Sequence, residues 1–158
     1  MPRRIIFHDV DLVPCASLRR CYYTTQHQEI VHFGARFKRY SGSSYFGGVT
    51  AFTPRAFEQI NGFPNRFWGW GGEDDALHKR VRKHRLCVHR QKYGSYTDLE
   101  HLHLREKLGV LARLQLKCDN KRELLREEPY DAHDGLHNAP HWEATEEDTY
   151  LVRFQATH

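Results

Sequence analysis

Residues 68–75 read Trp68-Gly69-Trp70-Gly71-Gly72-Glu73-Asp74-Asp75, and no other stretch constrains the chain as tightly. Two indoles, three glycines and three consecutive carboxylates share eight positions. A core seldom buries three adjacent acids, because unpaired buried charge is costly. A solvated loop seldom spends two Trp. Glycines let backbone pass close to a ligand and reach angles that other residues avoid. Indoles offer flat apolar faces with one N–H each. Together these groups suit a polar ring such as a sugar, whose C–H face stacks while its hydroxyls meet carboxylates. The competing reading is a tight turn with a core Trp and an acidic helix start, which the helix dipole favours.

The rest of the chain must supply a frame for that stretch. Its 158 residues make one domain by size, and 39% hydrophobic with 13% aromatic residues argues against disorder as a whole. Twenty-four basic and 20 acidic residues leave a mild +4. The densest basic run, Lys79 to Arg85, reads as a solvated helix face, so no nucleic-acid partner is expected. Cys15, Cys21, Cys87 and Cys118 form no CxxC pair, which argues against a zinc knuckle. With no run of about 18 apolar residues, no membrane span is expected. Met1-Pro2-Arg3-Arg4 leads at once into Ile5-Ile6-Phe7 and charge, unlike a signal peptide.

Arg4 to Val10 reads as a short buried strand that delivers Asp9 and Asp11 to its C-terminal end. In open α/β sheets that edge is where ligands bind. Asp-x-Asp there permits one carboxylate on a hard divalent cation and the other on a ligand hydroxyl. It also permits a strand-end turn with capping Asp residues. Ala16 to Tyr23 reads as a short helix, and His27 to Phe37 as strand or extended loop. Arg36 to Ser44 reads as loop, and Tyr45 to Phe52 as a strand weakened by Gly47-Gly48. Thr53-Pro54 predicts a capped helix start, with Gly62 near its end. Glu73 to Asp75 open the next helix, whose apolar seam is Leu77 and Val81 and whose Lys79, Arg80, Arg82 and Lys83 are solvated. Leu86 to His89 is a short strand. His101 and His103, two apart on extended chain, share a side in metal-ligand fashion or are simply exposed. Glu106 to Glu128 is a helix that breaks, Tyr130 to Trp142 a loop, and Thr149 to Gln155 a closing strand.

Asp11, His101 and His103 make a three-ligand set with open positions. Mixed oxygen and nitrogen ligation suits Mn²⁺ better than Mg²⁺ and is compatible with Fe²⁺ or Zn²⁺. Such a cation beside a stacking Trp and a carboxylate cluster suggests metal-assisted group transfer to a sugar hydroxyl.

Four further strings sit in order around these residues. They are Asp9-Val10-Asp11-Leu12-Val13-Pro14, Tyr45-Phe46-Gly47-Gly48-Val49, Asn61-Gly62-Phe63-Pro64-Asn65 and Asp134-Gly135-Leu136. With residues 68–75 they resemble the β-1,4-galactosyltransferase family over roughly residues 5 to 155. The resemblance implies a GT-A type α/β fold, a mixed sheet flanked by helices, lacking the family's N-terminal nucleotide-binding strands. It implies one C-terminal catalytic domain over 1–158. It also implies an inverting, Mn²⁺-dependent transfer of galactose from UDP-galactose to the 4-hydroxyl of a GlcNAc- or xylose-terminated glycan. By the same resemblance Asp74 is the general base. Asp9, Tyr45, Gly48 and Trp70 contact the donor. Trp70, Gly72, Glu73 and Asp75 contact the acceptor. Asp11, His101 and His103 hold the metal. Glu100-His101-Leu102-His103 resembles the xylose-directed member, where most members have Met-x-x-His. Gly71-Gly72 and Gly62-Phe63-Pro64-Asn65 resemble the GlcNAc-directed branch. Cys21 matches a family cysteine whose partner would lie near Arg4, where no Cys stands, leaving Cys15 as its substitute. Localisation in the Golgi lumen follows by resemblance alone.

Two other functions compete. One is an inactive, truncated homologue acting as a carbohydrate-binding module. The other is a metal-dependent hydrolase built on the Asp and His residues, against which the Trp-Gly-Trp-Gly-Gly string argues.

Overall fold

The structure, a computed structural model, describes residues 4–25, 27–37, 45–127, 134–139, 142–147 and 152–156, the last two stretches as backbone. Its central sheet has four strands: β1 (Ile5–His8), β3 (Ile30–His32), β4 (Val49–Phe52) and β5 (Val88–Arg90). Their order is β1-β4-β3-β5, with β3 and β5 parallel and the other pairs antiparallel. The mixed sheet is the one expected. A second pair joins β2 (Leu12–Pro14) to β6 (Tyr96–Asp98), and a third joins β7 (Trp142–Glu147) to β8 (Val152–Ala156).

Alternation along the strands sends side chains to two cores, one on each face. Ile30, Phe46 and Phe52 pack with Ala56, Phe57 and Ile60 around α2 (Pro54–Gln59), and with Leu77 and Val81 of α3 (Glu73–Lys83). Val31, Val49 and Ala51 pack on the other face with Leu12, Phe33, Phe37 and Leu18 of α1 (Ala16–Thr24). Each large apolar side chain so buried contributes on the order of 2 kcal/mol. The sheet is thereby fixed between helices.

Local chemistry explains the helix starts. The Thr53 hydroxyl accepts from Ala56 N at 3.2 Å, with Pro54 at the first helical position. At the head of α3, Gly72 has φ 111°, and a Cβ there would meet the Phe67 ring at 2.7 Å, so only glycine fits.

Several expectations need correction. Arg80 is not solvated but 5% exposed, and its guanidinium donates to the carbonyls of Asn61, Gly62 and Asp134. It lies on the same helical face as Ala76, Leu77 and Val81. The first strand is half-buried and ends at His8, and the strand after Gly48 begins only at Val49. The long C-terminal helix does break, into α4 (Leu104–Arg113) and α5 (Lys121–Glu127). The break follows Arg113, and Gly109 lies inside α4 with open space where a Cβ would be. Strand β7 begins where a loop was expected to end. All four cysteines are free, so Cys15 and Cys21 do not pair. Cys15 instead lies beside Ser17, and Cys21 accepts from Gln91. The loop expected over 36–44 falls outside the described residues beyond Phe37, as do residues 130–133, 140 and 141 of the loop expected over 130–142.

Candidate active site

Register brings the site together. The antiparallel pairing of β1 with β4 sets His8 opposite Val49, so the end of one strand meets the approach to the other. The Asp9 amide then donates to the Gly48 carbonyl at 2.8 Å. The head of α3 closes the third side. Asp9 and Asp11, Tyr45, Gly47 and Gly48, and Trp70 to Asp75 thus border one cavity of about 730 Å³. That volume is of the size that holds a small ligand.

Asp74 lies on its floor. A Cβ on Gly47 would stand 2.0 Å from the Asp74 Oδ2, so the carboxylate rests directly on the backbone of residue 47. Burial is the main cause that raises the Asp74 pKa to about 7. The nearby charges of Glu73, Asp9 and Asp75 push the same way, and Lys121 opposes them. Desolvation and like charge both disfavour a carboxylate. A group poised near neutrality can accept a proton and also release it, which general-base work requires.

The neighbouring carboxylates are held in different ways. Glu73 Oε2 is buried without a hydrogen-bond partner, which leaves an acceptor for a ligand hydroxyl. Asp75 pairs with Lys121 Nζ at 2.9 Å on the surface side. Asp9 has a raised pKa, first from burial and then from Asp11. Trp70 is 38% exposed at the cavity wall, while Trp68 is 82% exposed and does not line it. The Trp70 backbone is tied down: its N–H donates to the Leu116 carbonyl at 2.7 Å, and its carbonyl accepts from Cys118 at 3.2 Å. Gly72 lies in the lining as expected.

The predicted metal set is not brought together. Asp11 lines the cavity, but His101 and His103 are exposed and outside the lining. Among the described residues no group of three or more His, Cys, Asp or Glu is placed to hold a metal ion. The cause is local. Asp98 Oδ1 accepts from Glu100 N, Glu100 Oε1 from Leu102 N, and Glu106 Oε2 from His103 N. These short-range bonds fold the segment on itself and make His103 the cap of α4. The donor chemistry of the cavity nevertheless suits a hard cation, because carboxylates crowd it.

Sequence reasoning missed Asp98, Glu100, Lys107 and Lys121, all of which line the cavity. Lys107 Nζ pairs with Glu100 at 2.9 Å. The alternation through Tyr96-Thr97-Asp98 and the neighbourhood of the two His could have flagged the acids. Nothing local marks the lysines, which arrive from α4 and α5. Among the described residues no helix is long and apolar enough to cross a membrane.

A family profile described as the N-terminal domain of galactosyltransferase matches residues 29–102. β-1,4-Galactosyltransferase 4 of Homo sapiens is 45% identical over 101 residues, which cover 61% of this chain and 29% of that protein. β-1,4-Galactosyltransferase 6 of Rattus norvegicus is 38% identical over 141 residues, covering 85% of this chain and 34% of that protein. The chain therefore spans about a third of the length of these relatives. In fold it is similar to the catalytic domain of Drosophila β-1,4-galactosyltransferase 7 in complex with xylobiose. The TM-score is 0.70 at 24% identity, over 98% of this chain and 68% of that one. A mutant of that Drosophila protein, in complex with manganese, UDP-Gal and xylobiose, also aligns with a TM-score of 0.70, at 23% identity.

Proposed function

This chain belongs to the β-1,4-galactosyltransferase family, and from that premise we propose that it transfers galactose from UDP-galactose to the 4-hydroxyl of an acceptor sugar. The acceptor is a GlcNAc- or xylose-terminated glycan. Residues 1–158 would act as one catalytic unit in glycoprotein or proteoglycan synthesis in the Golgi lumen. The observation that carries the reading is Asp74, a half-buried carboxyl in the lining of a cavity rimmed by Trp70, its pKa raised to about 7 chiefly by desolvation.

In this reading Asp74 takes the proton from the acceptor hydroxyl as its oxygen attacks the anomeric carbon. The bond to the diphosphate breaks on the opposite face, UDP leaves with the electron pair, and the configuration inverts. The unpartnered Glu73 oxygen accepts from an acceptor hydroxyl, and Trp70, Gly72 and Asp75 border the same sugar. Asp9, Tyr45, Gly48 and Trp70 line the donor side. Asp11, His101 and His103 are the residues proposed to hold Mn²⁺, which when bound supplies positive charge against the departing diphosphate. The bound manganese and UDP-Gal of the Drosophila structure support this choice of cation and donor.

Calorimetry of UDP-galactose with Mn²⁺ and then with EDTA tests the donor site, and xylosides and N-acetylglucosaminides test the acceptor. The expected result is Mn²⁺-dependent donor binding and transfer. Asp74→Asn should keep donor binding and lose transfer by about 10³-fold. No donor binding in either condition would instead support the carbohydrate-binding homologue.

A further inference from the structure

Behind the cavity floor lies a side chain that is not itself part of the cavity lining. His32, at the end of β3, is fully buried. A buried imidazole needs partners for both nitrogens. Parallel pairing of β3 with β5 sets Arg90 beside it in register, and Arg90 Nη1 lies 2.9 Å from His32 Nδ1. A guanidinium only donates, so Nδ1 accepts and the ring proton is on Nε2. That proton is donated to the Gly47 carbonyl at 3.0 Å. The second hydrogen of Arg90 Nη1 goes to the Tyr45 carbonyl at 3.0 Å.

We propose that His32 is a positioning residue for the transfer: held in one tautomer by Arg90, it fixes the Gly47 peptide and thereby the surface on which the Asp74 carboxylate rests. The inference depends on the reading of Asp74 as the base. Residue 47 is layered between the two. A Cβ on Gly34 would stand 2.2 Å from the Gly47 carbonyl oxygen and 3.0 Å from His32 Nε2. On the other side, a Cβ on Gly47 would stand 2.0 Å from Asp74 Oδ2. There is no slack on either side, so a shift of the peptide must reach the carboxylate. A second route runs through rings. His32 packs on Phe46 at 5.2 Å, and Phe46 stacks on His78 at 4.7 Å and 13°. His78 lies one turn along α3 from Asp74. Burial, then the charge of Arg90, lowers the His32 pKa to about 4 although the Gly47 carbonyl opposes them, so the ring is neutral near neutral pH.

Two measurements decide the matter. Heteronuclear NMR of the His32 imidazole should find the proton on Nε2, and a proton on Nδ1 would overturn the proposal. Kinetics then compare His32→Leu with His32→Gln, whose amide restores one donor and one acceptor. His32→Leu should lower kcat by about 30-fold with KM for donor and acceptor held within about threefold, and His32→Gln should recover most of it. A folded His32→Leu with unchanged kcat overturns the proposal. Should His32→Leu fail to fold, Arg90→Met releases the tautomer and should lower kcat by about fivefold, an unchanged value counting against it. If the wild-type chain transfers no galactose, the proposed function fails on its own. Positioning is then read from the carboxyl carbon shift of Asp74, expected to move in His32→Leu and return in His32→Gln; a shift that stays put overturns it.

Discussion

Asp74 is where a carboxylate is kept at a cost to stability. Its folded-state pKa is about 7, against 3.8 for the free group. Between those values the native chain holds a proton that the unfolded chain has lost. Stability therefore falls as pH rises from about 4 to about 7, and the whole cost stands above that window. Asp74→Asn removes the charge. It should stabilise the fold by up to about 4 kcal/mol near pH 8 and by nearly nothing near pH 4, read by urea denaturation. Equal effects at both pH values would mean that Asp74 is not held in an unfavourable ionised state. Gly47 sets the same group from below. Its Gly-Gly pair was legible as a weak point in a strand, but its contact with Asp74 was not, because Asp74 lies far along the chain. Gly47→Ala should push the carboxylate off its seat. Transfer should fall by about 100-fold with donor affinity little changed. Full activity in that variant would mean that the close contact does not set the carboxylate.

Elements were legible where local chemistry decides them. Thr53-Pro54 started α2, and the three acids headed α3, because caps and dipoles act within one turn. Arg80 was misread because its partners are distant in sequence. Residue type suggested solvent, yet its spacing from Ala76, Leu77 and Val81 already placed it on the buried face. Its guanidinium joins the turn at Asn61 and Gly62 to the carbonyl of Asp134. The Asp134 carboxylate in turn accepts from the amides of Asn65 and Arg66, just before the two Trp. The strap thus holds the element that precedes the cavity wall. Arg80→Met should cost about 2–4 kcal/mol by leaving buried carbonyls unpaired. Amide exchange at Asn65 and Arg66 should quicken more than at β4. Uniform quickening would make Arg80 a general core residue and not a strap.

Across the whole molecule, charge is segregated. A chain of net charge +4 gathers Asp9, Asp11, Glu73, Asp74, Asp75, Asp98 and Glu100 around one cavity, against Lys107 and Lys121. A cleft lined this way focuses its field and draws cations, more strongly at low salt. Asp11 was readable as part of that field, since a strand end delivers it to the sheet edge. The pairing of Asp11 with His101 and His103 was read from spacing alone. Spacing cannot see the bonds to Asp98, Glu100 and Glu106 that fold the segment on itself. Mn²⁺ binding must therefore compete with those bonds if the two His are ligands. At a concentration of about 100 times its Kd, Mn²⁺ should stabilise the chain by about 2.7 kcal/mol. Asp11→Asn should abolish that gain, and His101→Ala and His103→Ala should each reduce the affinity by at least about tenfold. Retained affinity in both His variants, with loss in Asp11→Asn, would assign the cation to the carboxylates already in the lining. Asp98 and Glu100 would then join Asp11 in place of the histidines, and their carboxylates would have to leave the amides of Glu100 and Leu102.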